Sequence, residues 1–337
     1  MARNKLVDCL KAYSCLLVVF GHVILGIQNM GGVAQPWFAS PLKDFIWTFH
    51  VPLFMFLSGF VYRLTGEWKG KKTRWQFILH KAVNLGVPYF VFSILYIVIN
   101  SLIPSTNYAY SMRDILFLWK TPAAQYWFLR TLFILFVMYA LLSRFLSNVW
   151  ITAILTALSC IHMLIPDLPM PLGNIMNWAF AFGFGVCLAS LDKLCFSGVK
   201  ALAVILGHLA LEAVCIFTGV SGLPGIVEIE RAAGIIASIT LVSLLVKSAP
   251  VERFLLYINR YSFPIYLMHT FFTAGIRILL QKAGINSYWI HVAVGTALGV
   301  ALPLLAAILM EKTGWMNIVL YPSQTLKKLK QKRAAAP

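Results

Sequence analysis

Charge is what this chain has least of. Only 12% of its 337 residues are charged, and the acids number 11 against 28 Lys and Arg. Soluble domains carry roughly 25% charged residues, so this chain has too little polar surface for a water-soluble globule. The shortage of acids leaves a formal net charge of +17. Such a value would suit a nucleic-acid binder, but the cations lie in short loops and at the tail. There they hold cytoplasmic loops inside and meet anionic lipid headgroups, so membrane lipid, not nucleic acid, is the expected partner. Cysteine is sparse as well. Cys9, Cys15, Cys160, Cys187, Cys195 and Cys215 form no CxxC pair and mostly fall inside apolar runs. Small buried hydrophobes explain them better than disulfides or zinc do, and no metal site is expected. Internal repeats are lacking, as are low-complexity tracts outside the tail.

Apolar sequence is present in quantity: 60% of the residues are hydrophobic and the mean hydropathy is +0.80. It comes in runs of about twenty, the length that crosses roughly 30 Å of hydrocarbon at 1.5 Å per residue. Ten spans are expected: 10–28, 42–63, 77–101, 125–143, 149–166, 174–191, 198–217, 231–248, 261–281 and 288–311. The runs are too long for barrel strands, and lipid leaves no partner for an unpaired backbone group, so every span should be helical. The fold class is therefore an all-α, polytopic membrane protein. The N-terminal apolar stretch lacks a small-x-small cleavage site and reads as a retained first helix.

Loop charge sets the orientation. The connections after spans one, five and seven contain no Lys or Arg, whereas the alternate set includes RLTGEWKGKKTR, DKLCFSGVK and KSAPVERFLLYINR. Placing that set and both termini in the cytoplasm puts about 21 of the 28 Lys and Arg inside. Ten spans with N-in and C-in topology satisfy this. Residues 1–312 then form the transmembrane domain and 313–337 a basic cytoplasmic tail. The segment 106–120 is expected to form a short outer surface helix, and 249–257 an interfacial helix on the inner face.

Ionisable residues within lipid are costly and become functional candidates by default. Lys11 and His22 are eleven positions apart, which leaves a net rotation of about 20° and places both on one face of span one, about 16 Å apart. Lys11 then lies at the inner boundary and His22 near mid-bilayer, with Asp8 three residues before Lys11 placed to pair with it. His50, in FHVPLFMFLSGF, reaches a similar depth, next to Pro52 and the small pair Ser58-Gly59, which permits close helix approach. His269 lies in the ninth span, and three histidines on three helices can line one cavity. Each has an alternative reading as a hydrogen bond across a helix interface. His162 and His208 have less around them. Glu212 is placed to pair with His208 at i,i+4. Arg130, Arg231 and Arg277 lie near the outer face, where each either contacts an acidic or sugar-like ligand or snorkels to the headgroups; the second reading suits Arg277 better. The basic loop with Arg63, Lys69, Lys71, Lys72, Arg74 and Lys81 is either a positive-inside anchor or a docking surface for a polyanionic donor.

With these stretches in hand, the chain resembles the acyltransferase 3 family of bacterial membrane acyltransferases. LVDCLKAYSCLLVVFGHV matches its Arg/Lys-x10-His signature with Lys11 and His22. FHVPLFMFLSGF, QYWFLRTLF and NRYSFPIYLMHTFF match three further patterns in the right order. One departure stands out: before the third span's proline, KAVNLGVPYF offers only Lys81, preceded by His80, where members often carry a second Arg or Lys.

The resemblance implies transfer of an acyl group, commonly acetyl, from cytoplasmic acyl-CoA to a hydroxyl of a cell-surface or lipid-linked glycan, in a bacterial cytoplasmic membrane. No tightly bound cofactor is implied; acyl-CoA is a co-substrate. By matching position His22 would be catalytic and Lys11 the signature's cation, with His50 accessory. Arg63, Lys72, Arg74, Lys81 and His269 are the donor-side candidates, and Trp127 and Arg130 the acceptor-side ones. A neutral imidazole is a suitable general base for a sugar hydroxyl. Direct deprotonation and prior transfer of the acyl group to the ring both remain open. The rival classes are a transporter or flippase for a polysaccharide or lipid-linked intermediate, against which stands the lack of inverted halves with paired broken helices, and a scaffold subunit of a glycan-assembly complex.

Overall fold

A computed structural model describes residues 4–65, 73–103, 110–165, 168, 172–188, 190–313 and 316–334. Every α-helix or strand element among them is helical. The long helices are α1 (Lys5–Gln28), α2 (Ala39–Thr65), α3 (Arg74–Leu102), α4 (Trp127–Leu142), α5 (Asn148–Leu164), α6 (Leu172–Cys187), α7 (Gly198–Thr218), α8 (Ile226–Leu245), α9 (Ala249–Lys282) and α10 (Tyr288–Lys312). Two short helices follow, α11 (Met316–Leu320) and α12 (Pro322–Ala334).

Seven of these are long and apolar enough to cross a membrane: α1, α2, α3, α4 with its leading turn, α7, α9 and α10. Helices α5 and α6 are apolar but run only 17 and 16 residues, below the roughly 20 that span a bilayer without thinning it. Helix α8 opens with Glu228, Glu230 and Arg231, all buried.

Helix starts follow local chemistry. Asn4 caps α1 by accepting from the Val7 amide, and Thr73 forms a capping box with Gln76 at α3. In α9, Pro250 occupies the first turn, where its missing N–H costs nothing. The segment 249–257, expected as an interfacial helix on the inner face, is helical, and it is the first part of one continuous 34-residue helix that runs through Pro264. The expected outer surface helix is a six-residue 3₁₀ turn, Met112–Phe117, with no buried side chain; residues 104–109 lie outside the described residues.

Helices α1 and α2 form the centre. Helix α1 packs on α2, α8, α9 and α10, and α2 packs on α6, α7 and α8 as well. The α2–α6 crossing is the tightest. A Cβ at Gly59 would strike the Phe182 carbonyl oxygen and one at Gly185 would strike that of Phe56, so each glycine admits the other helix's backbone. Helices α3, α7 and α10 turn large apolar side chains outward, including Leu79, Phe90, Val199, Phe217 and Leu309. In a membrane, such a belt faces lipid. The six cysteines are free thiols, three of them buried.

Candidate active site

Lys11 and His22 line the same cavity, of about 450 Å³. From α2 that cavity takes Trp47, His50, Val51, Phe54, Leu57 and Ser58, the 3–4 spacing of one helix face. Its end toward the N-terminus of α1 is bounded by Lys11, Asn259, Arg260, Ser262 and Tyr321. Burial, aided by Glu311 and Tyr261, pushes the Tyr321 phenol up to about 12, so it keeps its O–H as a donor there. Arg260 also makes a solvent-exposed contact of 3.4 Å with Glu311.

A second cavity of about 400 Å³ lies beyond His22, toward the C-terminal end of α1. Gly26, Asn29, Asn100, Tyr110, Thr270, Thr273 and Arg277 contribute to its wall. Four residues line both cavities: His22, Trp47, Gln125 and Trp127.

The three membrane histidines meet at this junction. The His22 ring stands edge-on to His269 with centroids 4.9 Å apart, and lies 5.6 Å from Trp47, which is in turn 4.8 Å from His50. Each Nδ1 faces a carbonyl of its own helix: His22 to Val18 at 2.9 Å, His50 to Ile46 at 2.7 Å, His269 to Tyr266 at 2.9 Å. A carbonyl only accepts, so each Nδ1 carries the hydrogen, and a neutral ring then presents an unprotonated Nε2. His50 and His269 are fully buried, and among the described residues their Nε2 atoms have no hydrogen-bond partner; His50 borders the first cavity, and of the three rings His22 alone borders both. Among the described residues no group of three or more His, Cys, Asp or Glu is arranged to hold a metal ion.

The junction's far wall is a strained turn. Ala124 has φ +39°, a left-handed conformation rare outside glycine. Around it, Gln125 donates to Thr270 Oγ1 (2.7 Å), Tyr126 donates to the Leu267 carbonyl (2.7 Å), and the Gln125 carbonyl accepts from Tyr266 (2.8 Å). These bonds tie the turn to α9. Among the described residues the Gln125 Oε1 is buried without a partner. Trp127 stacks on Trp178 at 5.3 Å and 19°, and the Arg231 guanidinium lies 5.0 Å from the Trp178 ring.

The remaining sequence candidates lie elsewhere. Arg130 turns away from both cavities and donates to the Lys120 and Trp119 carbonyls at 2.8 and 3.4 Å, stapling the loop before α4. Arg63 donates to the Val186 carbonyl at 3.3 Å, and the Lys81 ammonium lies 4.3 Å from the Phe136 ring centroid. Neither they nor Arg74 line either of these two cavities, and Lys72 falls outside the described residues. His269 sits behind His22 rather than on a cavity wall. Glu212 does lie beside His208, at 3.7 Å, and accepts from Thr48 at 2.9 Å. Sequence reasoning missed Trp47, Gln125, Trp178 and Arg260. Gln125 opens the stretch QYWFLRTLF, and its polarity amid aromatics was the available signal.

Comparison with known proteins gives one result. A family model described as an acyltransferase domain, that of acyltransferase 3, matches residues 4–308. No curated protein and no solved structure matches the chain.

Proposed function

The chain belongs to the acyltransferase 3 family, and from that premise we propose that it moves an acyl group from a cytoplasmic acyl-CoA to a glycan hydroxyl across the His22 junction. Membership makes it a membrane acyltransferase. The donor, the acceptor and the roles of the residues are our reading, and one observation carries it: His22 belongs to both cavities at once.

In this reading the pantetheine arm enters the 450 Å³ cavity past Lys11, Arg260 and Tyr321, whose donors meet the phosphates at the mouth. The cations of the loop between α2 and α3, Lys72 among them, act on the part of the donor still outside. The acceptor sugar occupies the other cavity. The unprotonated Nε2 of His22 takes the hydroxyl proton as the oxygen attacks the thioester carbonyl. The carbon–sulfur bond breaks, and the imidazolium returns the proton to the departing CoA thiolate, so the ring ends as it began. His269 and His50 hold the ring's surroundings in place, and the unpartnered Gln125 Oε1 accepts from an acceptor hydroxyl. We place α1–α10 all across a bacterial cytoplasmic membrane, with both termini inside. Acetyl is the acyl group we favour.

His22→Ala should lower acyl transfer by about 10²–10⁴-fold, the usual contribution of a positioned base, in protein that still elutes as a folded species. Undiminished transfer by that variant removes His22 from the chemistry. The meeting of two cavities also fits a transporter, which would move unmodified glycan with no need of acyl-CoA. Acyl-CoA consumption coupled to labelled acceptor separates the two.

A further inference from the structure

For Arg277 the sequence favours snorkelling to the headgroups over contact with an acidic or sugar-like ligand; the structure turns it inward. It lines the second cavity together with His22, and a narrower cleft with His22, Gly26 and Thr273. Gly26 is the reason it fits. A Cβ built there would collide with a guanidinium nitrogen of Arg277, so the missing side chain on α1 is the space the guanidinium occupies. On α9 the residues Thr270, Thr273, Ala274 and Arg277 all reach this wall, at the i, i+3, i+4, i+7 spacing of one helix face. The guanidinium is therefore built into the chamber by two helices.

We infer that this chamber is an anion-selective acceptor subsite, in which Arg277 takes a carboxylate or phosphate carried by the sugar whose hydroxyl faces His22. The inference deepens the acyl-transfer reading and rests on it for the identity of the second substrate. A guanidinium on the chamber wall offers the planar fork that matches carboxylate and phosphate oxygens. Gly26 lies one turn beyond His22, about 6 Å along α1. The anion and the reacting hydroxyl are thus held at neighbouring positions of one small ligand. Asn29, Asn100, Tyr110 and Thr270 supply neutral donors and acceptors suited to the remaining hydroxyls. A volume of about 400 Å³ falls in the usual range for a small-molecule site, roughly 300–1,000 Å³.

The test is equilibrium binding to the purified full-length protein in neutral detergent, without any acyl donor. The probes are methyl glucuronoside, glucose 1-phosphate and the neutral methyl glucoside. Wild type should bind at least one anionic probe about tenfold more tightly than the neutral one, as expected for a charge-assisted contact. Arg277→Gln should erase that preference while leaving the neutral probe's affinity in place, and Arg277→Lys should restore part of it. Preference for the uronoside points to an acidic sugar; preference for the phosphate points to a lipid-linked sugar phosphate. Equal binding of charged and neutral probes by wild type, or no binding of any, overturns the proposal, as does an Arg277→Gln protein that keeps the preference. Should Arg277→Gln not fold, Gly26→Ala, which displaces the same guanidinium, must erase the preference in its place. Because no acyl donor is present, failure of acyl transfer would sink the enzymatic reading without altering this outcome.

Discussion

Arg231 shows how much of this site is held by side chains that never reach it. Its guanidinium donates to the Asn177 carbonyl (2.6 Å) and side chain (2.7 Å), and lies 3.3 Å from Glu228, which also accepts from Ser159. All of this stands behind Trp178, whose face supports Trp127 at the junction. Breaking one partner of a buried pair leaves the other charge uncompensated, typically a loss of roughly 3–5 kcal/mol. Arg231→Met should therefore lower the thermal midpoint sharply, and adding Glu228→Gln should recover most of the loss. A double variant as unstable as the single one would show that packing, not charge, holds this corner. At this scale the sequence was legible where a polar residue stood alone in an apolar run, as with His22, His50 and His269. It was not legible for Arg260, Arg277 and Gln125. What separates them from Arg130, which staples the loop before α4, is which way each points, and that depends on neighbours far along the chain, such as Gly26 for Arg277.

At the scale of elements, the site depends on the α2–α6 crossing, because α2 carries Trp47, His50 and Ser58 along one face. Gly59→Ala places a methyl group against the Phe182 carbonyl, where backbone rather than a flexible side chain must yield. Overpacking of this kind costs about 1–3 kcal/mol, and transfer activity should fall with stability as the α2 face shifts. Gly275→Ala is the control: nothing lies within 4 Å of its added carbon, so its thermal midpoint should hold or rise. If both variants behave alike, the crossing is looser than its geometry indicates. Ser58-Gly59 announced this contact in the sequence. The extent of α9 was not announced, because the polar and apolar residues of 249–257 suit a helix lying on the membrane as well as one entering it. The structure adds that this segment is continuous with the helix that runs to Lys282. Helices α5, α6 and α8 show the same limit, being too short or too charged to declare their role by hydropathy.

Across the whole molecule, the arrangement amounts to two chambers of similar size divided by His22, Trp47, Gln125 and Trp127. Such a partition matters only if the chambers open to opposite compartments, which loop charge predicts and which can be read directly. In a background with the six native cysteines replaced, Asn259→Cys reports on the inner chamber and Asn100→Cys on the outer one. With oriented membrane vesicles, a membrane-impermeant maleimide should label Asn259→Cys from the cytoplasmic side and Asn100→Cys from the other. Acyl-CoA added beforehand should protect only the first if, as proposed, the donor fills the chamber that holds Lys11 and Arg260. A soluble acidic glycoside should protect only the second. Labelling of both positions from one side would mean that the two chambers form a single vestibule, and His22 would then have no barrier to work across. Trp127→Ala, which removes one leaf of the partition without touching His22, should let water reach the donor and raise acyl-CoA hydrolysis relative to transfer, measured as free CoA released per acylated acceptor.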